Sequence, residues 1–559
     1  MSTKKNESAQ KLRGGYYTSP DVARWLCQWA IRSPSDVVLE PSCGAGAFLT
    51  AAADRFAELN TPKKSIASRL TGVEITPSEA EASANMLRTK LGVSAARVVQ
   101  PGDFFAWWKA NDGQFDAVVG NPPFIRYQSF PEPHRTLAME IMQSLGLSPN
   151  RLTNIWVPFV VAAAARLKKG GRLALILPAE ILQVTYAAQL RKFLADRFHR
   201  LDIVTCNQLF FDAEQEVVLL LADGACEPSE SNDCRVTMTV CDTLAEITQR
   251  SPAALLRAAE PKTLRYDTEK WLKYFLSARE IAFMRELRDS ENTTVMSSHA
   301  SIDVGVVTGR NEFFVLTMSQ VQALKLGKYT SPLVSRSSQL RGSTLAKPEW
   351  ETLAAANDRV HLLNISPAAA RNLSTALRDY IKQGEDQDFH RGYKCSIRDP
   401  WYRVPSVWTP DAFMFRQIYN FPRIVLNSCG ATSTDTIHRM KAKHGEPERV
   451  IANTYTWMTA ASAEIEGRSY GGGVLELEPT EAERLLVPAK LNGALPVAEA
   501  DRLIRADKLD HVLEENARTV LREHMGLSAS DCKTLRDIWF KMRDRRMGRR
   551  KTSPDSLKV

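Results

Sequence analysis

Residues 116–127 read DAVVGNPPFIRY, a β-branched run that passes straight into an asparagine and two prolines. Such a run suits a strand buried on both faces. The two prolines remove backbone donors and keep the chain extended. Asn121, Pro122 and Phe124 are therefore expected on a stiff hook at the strand's carboxyl end. In open α/β sheets that edge is where ligands sit.

Outward from the hook the same pattern repeats. Strand-like runs occupy 36–40, 69–75, 96–99, 171–178, 201–206 and 216–222. Between them, 47–58, 78–91, 155–167 and 180–197 carry apolar residues at three and four spacing, as helices do. Strand and helix in alternation predict an α/β fold, a doubly wound, Rossmann-like and mostly parallel sheet over 1–245. A polar break near 226 and another at 260–271 predict a linker at 246–275. Short strands, aromatics and prolines then predict a mixed α+β domain over 276–490, followed by a helical basic segment at 491–559.

The chain of 559 residues is 44% hydrophobic and 25% charged, which suits a globular protein of two or three domains. It lacks an apolar run of about eighteen residues and begins with a polar segment, so a cytoplasmic protein with no membrane association is expected. Nine cysteines are scattered without a CxxC pair, which argues against a disulfide framework and against a zinc cluster. Cys43 and Cys206 read as small buried hydrophobes, and no metal is expected. A net charge of +9 admits a polyanionic partner, and residues 536–551 gather basic side chains including Arg543, Arg545 and Arg546.

The first strand ends in a two-glycine loop, with Gly44 and Gly46 placed where a ligand can approach the backbone. Leu49 stands where a dinucleotide fingerprint wants a third glycine, and the loop lacks the lysine of a phosphate-binding P-loop. The next strand ends at Glu74, a carboxylate able to accept from both hydroxyls of a ribose. The third leads to Asp103 and Phe104, an acceptor for an adenine amino group and a neighbouring backbone and ring. Each acid alone also reads as a helix cap.

Glycine loop, ribose acid, adenine acid and NPPF, in this order at successive strand ends, resemble the S-adenosylmethionine-dependent methyltransferases that act on a planar nitrogen. With GGYYTSP at 14–20, the set resembles gamma-class adenine-N6 DNA methyltransferases, TaqI-like with an Eco57I-type catalytic domain, of type II restriction-modification systems. The resemblance is specific over about 14–224. It implies that Tyr17, Thr18, Glu40, Gly44, Gly46, Glu74, Ile75, Asp103 and Phe104 line the cofactor pocket, and that an aromatic such as Phe211 stacks on the target base opposite Phe124. NPPF departs from the TaqI pattern by a phenylalanine in place of tyrosine.

The hook would accept both hydrogens of an adenine amine, from the Asn121 side chain and the Pro122 carbonyl, while Phe124 stacks on the extruded base. No histidine is assigned to catalysis. Double-stranded DNA is the expected partner of a monomer that works beside a separate cognate endonuclease or as an orphan. Basic and aromatic stretches at 303–316, 391–408 and 415–439 are candidates for reading it, with Arg310, Asn311, Arg403 and Arg416 as contacts. Three other readings stand beside this one: an RNA base methyltransferase, a protein glutamine methyltransferase, and a DNA-binding specificity module without activity.

Overall fold

Leucine-rich and β-branched runs bury both faces of a nine-stranded sheet. Its strands are β1 (Val38–Glu40), β2 (Leu70–Glu74), β3 (Val99–Pro101), β4 (Phe115–Gly120), β5 (Leu167–Pro178), β6 (Phe198–Cys206), β7 (Val217–Ala225), β8 (Arg235–Cys241) and β9 (Lys262–Thr263). They lie in the order β3-β2-β1-β4-β5-β7-β6-β8-β9. β1 to β5 pair in parallel, and β7 enters antiparallel between β5 and β6. The chain runs outward from β1 through β2 to β3, then returns to place β4 on the other side of β1. The order therefore reverses between β1 and β4, which opens a crevice beyond their carboxyl ends.

The computed structural model describes residues 18–92, 98–150, 153–207, 216–228, 234–265, 269–470 and 472–548. It divides into two units, Met1–Ile281 and Ala282–Val559. The first unit is doubly wound. Among its helices are α1 (Pro20–Ala30), α2 (Ala47–Glu58), α3 (Pro77–Leu91), α4 (Phe104–Ala110), α5 (His134–Ser144), α6 (Trp156–Ala164), α7 (Ala188–Arg197), α8 (Leu244–Thr248) and α9 (Pro252–Arg257). α6 is apolar on every side and buried throughout, as a helix in the middle of a core should be. Asp103 caps α4, and Pro77 and Gly92 bracket α3, so local chemistry sets where these helices start and stop.

The expected linker at 246–275 is instead part of this unit. The polar run at 226–234 joins β7 to β8 within one sheet, and β9 then pairs antiparallel with β8. Ile247, Leu255 and Leu256 belong to the same buried cluster as Trp25 of α1, and Trp271 and Tyr274 are buried. A polar connector looks the same in sequence whether it leaves a domain or only turns within one.

The second unit is built from short mixed sheets. The largest orders Ala300–Asp303, Ile437–Ala442, Ala412–Phe415, Ile424–Ser428 and Thr344–Ala346. The segment expected as a separate helical end contributes to its core. In Ala529–Met547, Leu535, Ile538, Trp539 and Met542 form a buried stripe, and Trp539 lies 5.3 Å from Trp457. Among the described residues no helix is long and apolar enough to cross a membrane.

Candidate active site at the strand ends

The loop after β1 is shaped by its two glycines for different reasons. Gly46 sits at φ +89° against α3, and a Cβ there would meet Ser83 Oγ at 2.4 Å and Met86 Cε at 2.8 Å. Gly44, at φ +49°, has no heavy atom within 4 Å of where its Cβ would be, so its backbone borders open space. Glu74 ties the loop down: its Oε2 accepts from the Gly44 N–H and its Oε1 from the Thr76 N–H, both at 2.8 Å. Each carboxylate oxygen keeps a further lone pair.

Glu40 is buried at the end of β1, and its Oε2 has no hydrogen-bond partner among the described residues. Burial pushes its carboxyl well above the usual glutamate range, the Leu49 backbone N–H opposes the shift, and nearby Glu74 adds to it. Beside Glu74, Ile75 is 47% exposed. Asp103 caps α4 with Oδ1, which accepts from the Ala106 N–H at 2.9 Å and lies 3.4 Å from His134 Nδ1.

Phe104 differs from expectation. Its ring is 2% exposed and stacks on Phe159 at 5.3 Å, so it belongs to the core. Its main chain lies in the first turn of α4, where N–H groups lack intrahelical partners.

At the neighbouring strand end, Asn121 follows Gly120 of β4. Its Nδ2 donates to Thr18 Oγ1 at 3.3 Å, and its backbone carbonyl accepts from Ser42 Oγ at 3.3 Å. A Cβ on Gly120 would lie 3.5 Å from Pro41 Cδ and 3.6 Å from Glu40 Cγ, so hook and glycine loop are in direct contact. Pro122 is buried, and Phe124 is half-buried against the core. The Ile125 carbonyl accepts from the Ile155 N–H at 2.9 Å and fixes the far side of the hook to the start of α6. Tyr17 and Phe211 lie outside the described residues.

Ser42 and His134 were not singled out by the sequence. Ser42 lies inside the glycine-loop motif and could have been noticed there. His134 lies far from Asp103 in the chain, and only the contact between α4 and α5 reveals it.

In the second unit, the arginines named as candidate DNA contacts divide. Arg310 and Arg403 are exposed, as is Asn311, whose Oδ1 accepts from Thr308 Oγ1. Arg416 is half-buried and pairs with Glu476 at 3.2 Å and Glu478 at 2.7 Å, so its charge is already met within the unit. Arg546 is 1% exposed and grips both oxygens of Glu464, at 2.6 and 3.0 Å; it is a core residue and not a surface cation. Arg543 lies over the rings of Trp539 and Phe540 at 4.7 and 4.6 Å and donates to Asn420, and Arg545 is half-buried. Among the described basic residues of this run only Arg546 is buried; Arg536, Arg543 and Arg545 are half-buried and Lys541 is exposed.

Known proteins are similar to this chain. The type IIG restriction endonuclease BpuSI is similar in structure over 97% of this chain and 67% of that one, at 12% identity and a TM-score of 0.42, a likeness too loose to carry detail. Type II methyltransferase M.AccI of Acinetobacter calcoaceticus is 22% identical over 484 residues, 84% of each chain. M.XamI of Xanthomonas campestris pv. amaranthicola is 23% identical over 488 residues, 86% of each. Residues 63–210 match the Eco57I restriction-modification methylase family, and residues 268–521 match the C-terminal domain of the Type II methyltransferase M.Eco57I. With residues 63–210 and 268–521 both matched, the chain belongs to the Type II restriction-modification methyltransferases of the Eco57I type.

Proposed function

We propose that this methyltransferase transfers a methyl group from S-adenosylmethionine to the N6 amine of an adenine turned out of double-stranded DNA, and so protects that DNA from a cognate endonuclease. The observation that carries the reading is the orientation of Asn121. Its Nδ2 donates to Thr18 and its backbone carbonyl accepts from Ser42, which together hold the side-chain amide at the strand end where the order of the sheet reverses. The Pro122 carbonyl, on a stiff segment, offers a second acceptor.

An adenine amine is a poor nucleophile because its lone pair is spread into the ring. Two acceptors in fixed positions draw the amine hydrogens out of the ring plane and localise that pair on nitrogen. Phe124 gives the extruded base an aromatic face. The amine proton becomes acidic as the new bond forms and leaves to water, so the hook needs no basic side chain.

The residues beside the hook suit the cofactor. Gly44 leaves open space at the backbone, and the buried Glu40 Oε2 is an orphaned polar atom beside it. Glu74 and Ile75 would hold the ribose and one face of the adenine, and Asp103 with the main chain of Phe104 its amino edge. When bound, S-adenosylmethionine supplies an electrophilic methyl group on sulfur.

The test is expression in a methylation-deficient bacterial host, followed by sequencing that reports modified bases directly. N6-methyladenine at one recurring motif is expected. Methylcytosine at such a motif would overturn the adenine assignment, and an unmodified genome would overturn the DNA reading for the chain acting alone.

A further inference from the structure

Tyr393 is 76% exposed and Ile397 64% exposed, the most exposed large hydrophobic side chains among the described residues. They are four residues apart across the short turn Tyr393–Ser396, a spacing that puts them on one face. Cys395, between them, points the other way and is fully buried.

The turn is braced from below. Arg398 donates from Nη1 and Nη2 to the Thr308 and Val307 carbonyls, both at 2.7 Å. Trp401 packs 4.9 Å from Phe313. Gly309, at φ +78°, lies so close that a Cβ on it would meet Lys394 Cβ at 2.6 Å. Leaving two large apolar groups in water on a segment this well anchored is unfavourable unless something covers them.

The surroundings say what. Arg310, Lys394 and Arg403 are exposed and have no carboxylate in ion-pair reach among the described residues. Arg391 is paired with Asp388 at 3.1 Å, and two exposed acids line the neighbouring crevice, Asp399 and Asp303, the latter paired with Arg439 at 3.3 Å. Beside Ile397, a crevice of about 590 Å³ is lined by Val307, Arg398 and Arg403. An apolar centre bordered by cations is complementary to stacked bases bordered by phosphates.

We propose that Tyr393 and Ile397 form a wedge that enters a base step of duplex DNA and unstacks it, with Arg310, Lys394 and Arg403 on the flanking phosphates. The inference rests on DNA being the substrate, but not on which base is methylated.

A duplex selected by the wild-type protein from a randomised pool provides the probe, with 2-aminopurine placed at each step in turn. Wild-type protein is expected to raise the fluorescence at one step besides the position of the extruded target base. Tyr393→Ala with Ile397→Ala should abolish that rise and weaken binding about tenfold or more with the salt dependence unchanged. Lys394→Ala with Arg403→Ala should instead flatten the salt dependence by about one unit of slope per cation. Tyr393→Phe with Ile397→Leu should keep the fluorescence rise. Equal affinity and equal fluorescence in the double alanine variant would overturn the wedge while leaving the DNA reading intact; a wild-type protein that selects no duplex would overturn both. Self-association, or binding to anionic vesicles, that the double variant loses while its DNA affinity is unchanged would also overturn it.

Discussion

The strand ends of the first unit and the C-terminal helix of the second were both marked in the sequence by residues that suggest chemistry, and the structure treats them differently. At the strand ends Glu40, Gly44, Glu74 and Asn121 are held at a shared edge by backbone contacts such as Glu74 to Gly44 and Ser42 to Asn121. In the helix Ala529–Met547, Arg546 turns inward to Glu464 while Lys541 faces solvent. A strand end has one place to be, because the sheet's register decides it. A basic residue on a helix faces solvent or core according to a rotation of about 100° per residue, and one misjudged position exchanges a DNA contact for a buried ion pair.

That contrast can be tested at Arg546. Arg546→Met leaves the Glu464 carboxylate buried without its partner and should lower stability by about 3–5 kcal/mol, read as the shift in denaturant midpoint. Adding Glu464→Leu should recover most of the loss. A fully stable single variant would return Arg546 to the surface.

Asn121→Ala should slow methyl transfer by about 10²–10³-fold, the usual effect of losing one hydrogen-bonding group that is organised around the reacting centre. Cofactor binding, measured by calorimetry, should be unchanged. Loss of cofactor binding together with activity would make Asn121 part of the pocket and not of the hook.

Gly46→Ala should cost about 1–3 kcal/mol, because the new methyl meets Ser83 and Met86 and the backbone is left-handed there. Gly44→Ala meets no protein atom, so beyond the strain of its own positive φ it should lose cofactor affinity more than stability. The pair of melting curves separates the glycine that serves packing from the one that serves a ligand.

Glu40 sets the smallest effect. Its carboxyl is raised by burial, so the folded chain keeps a proton that the unfolded chain has already lost. Stability should therefore fall as pH rises above the ordinary glutamate range, by at most about 1.4 kcal/mol per pH unit until the folded group itself ionises. Glu40→Gln should flatten that slope in a series of thermal midpoints across pH. An unchanged slope would mean that Glu40 is ionised in the folded protein.

Most of the first unit was legible in advance. The run at 115–120 is β4 and the periodic stretch at 47–58 is α2, since continuous apolar runs and helical spacing are local signals. β8 and β9 were missed because a polar connector precedes them, and the expected linker at 246–275 followed from the same reading. In the candidate site, the motif residues could be named but not their mutual contacts. Phe104 stands next to a functional acid and was expected to share its role, yet as the first residue of α4 it points its ring into the core against Phe159.

By itself the sequence determined most elements of the first unit, their order and the chemistry available at the strand ends, because propensity, periodicity and the stiffness of Pro-Pro act over a few residues. Only the tertiary structure decided which acid is tied to the loop and which is left with a buried oxygen, which arginine reaches solvent, and which apolar side chains stay uncovered. Those outcomes depend on how distant segments pack, and burial sets whether the same charged or apolar group is held inside the protein or offered to a partner.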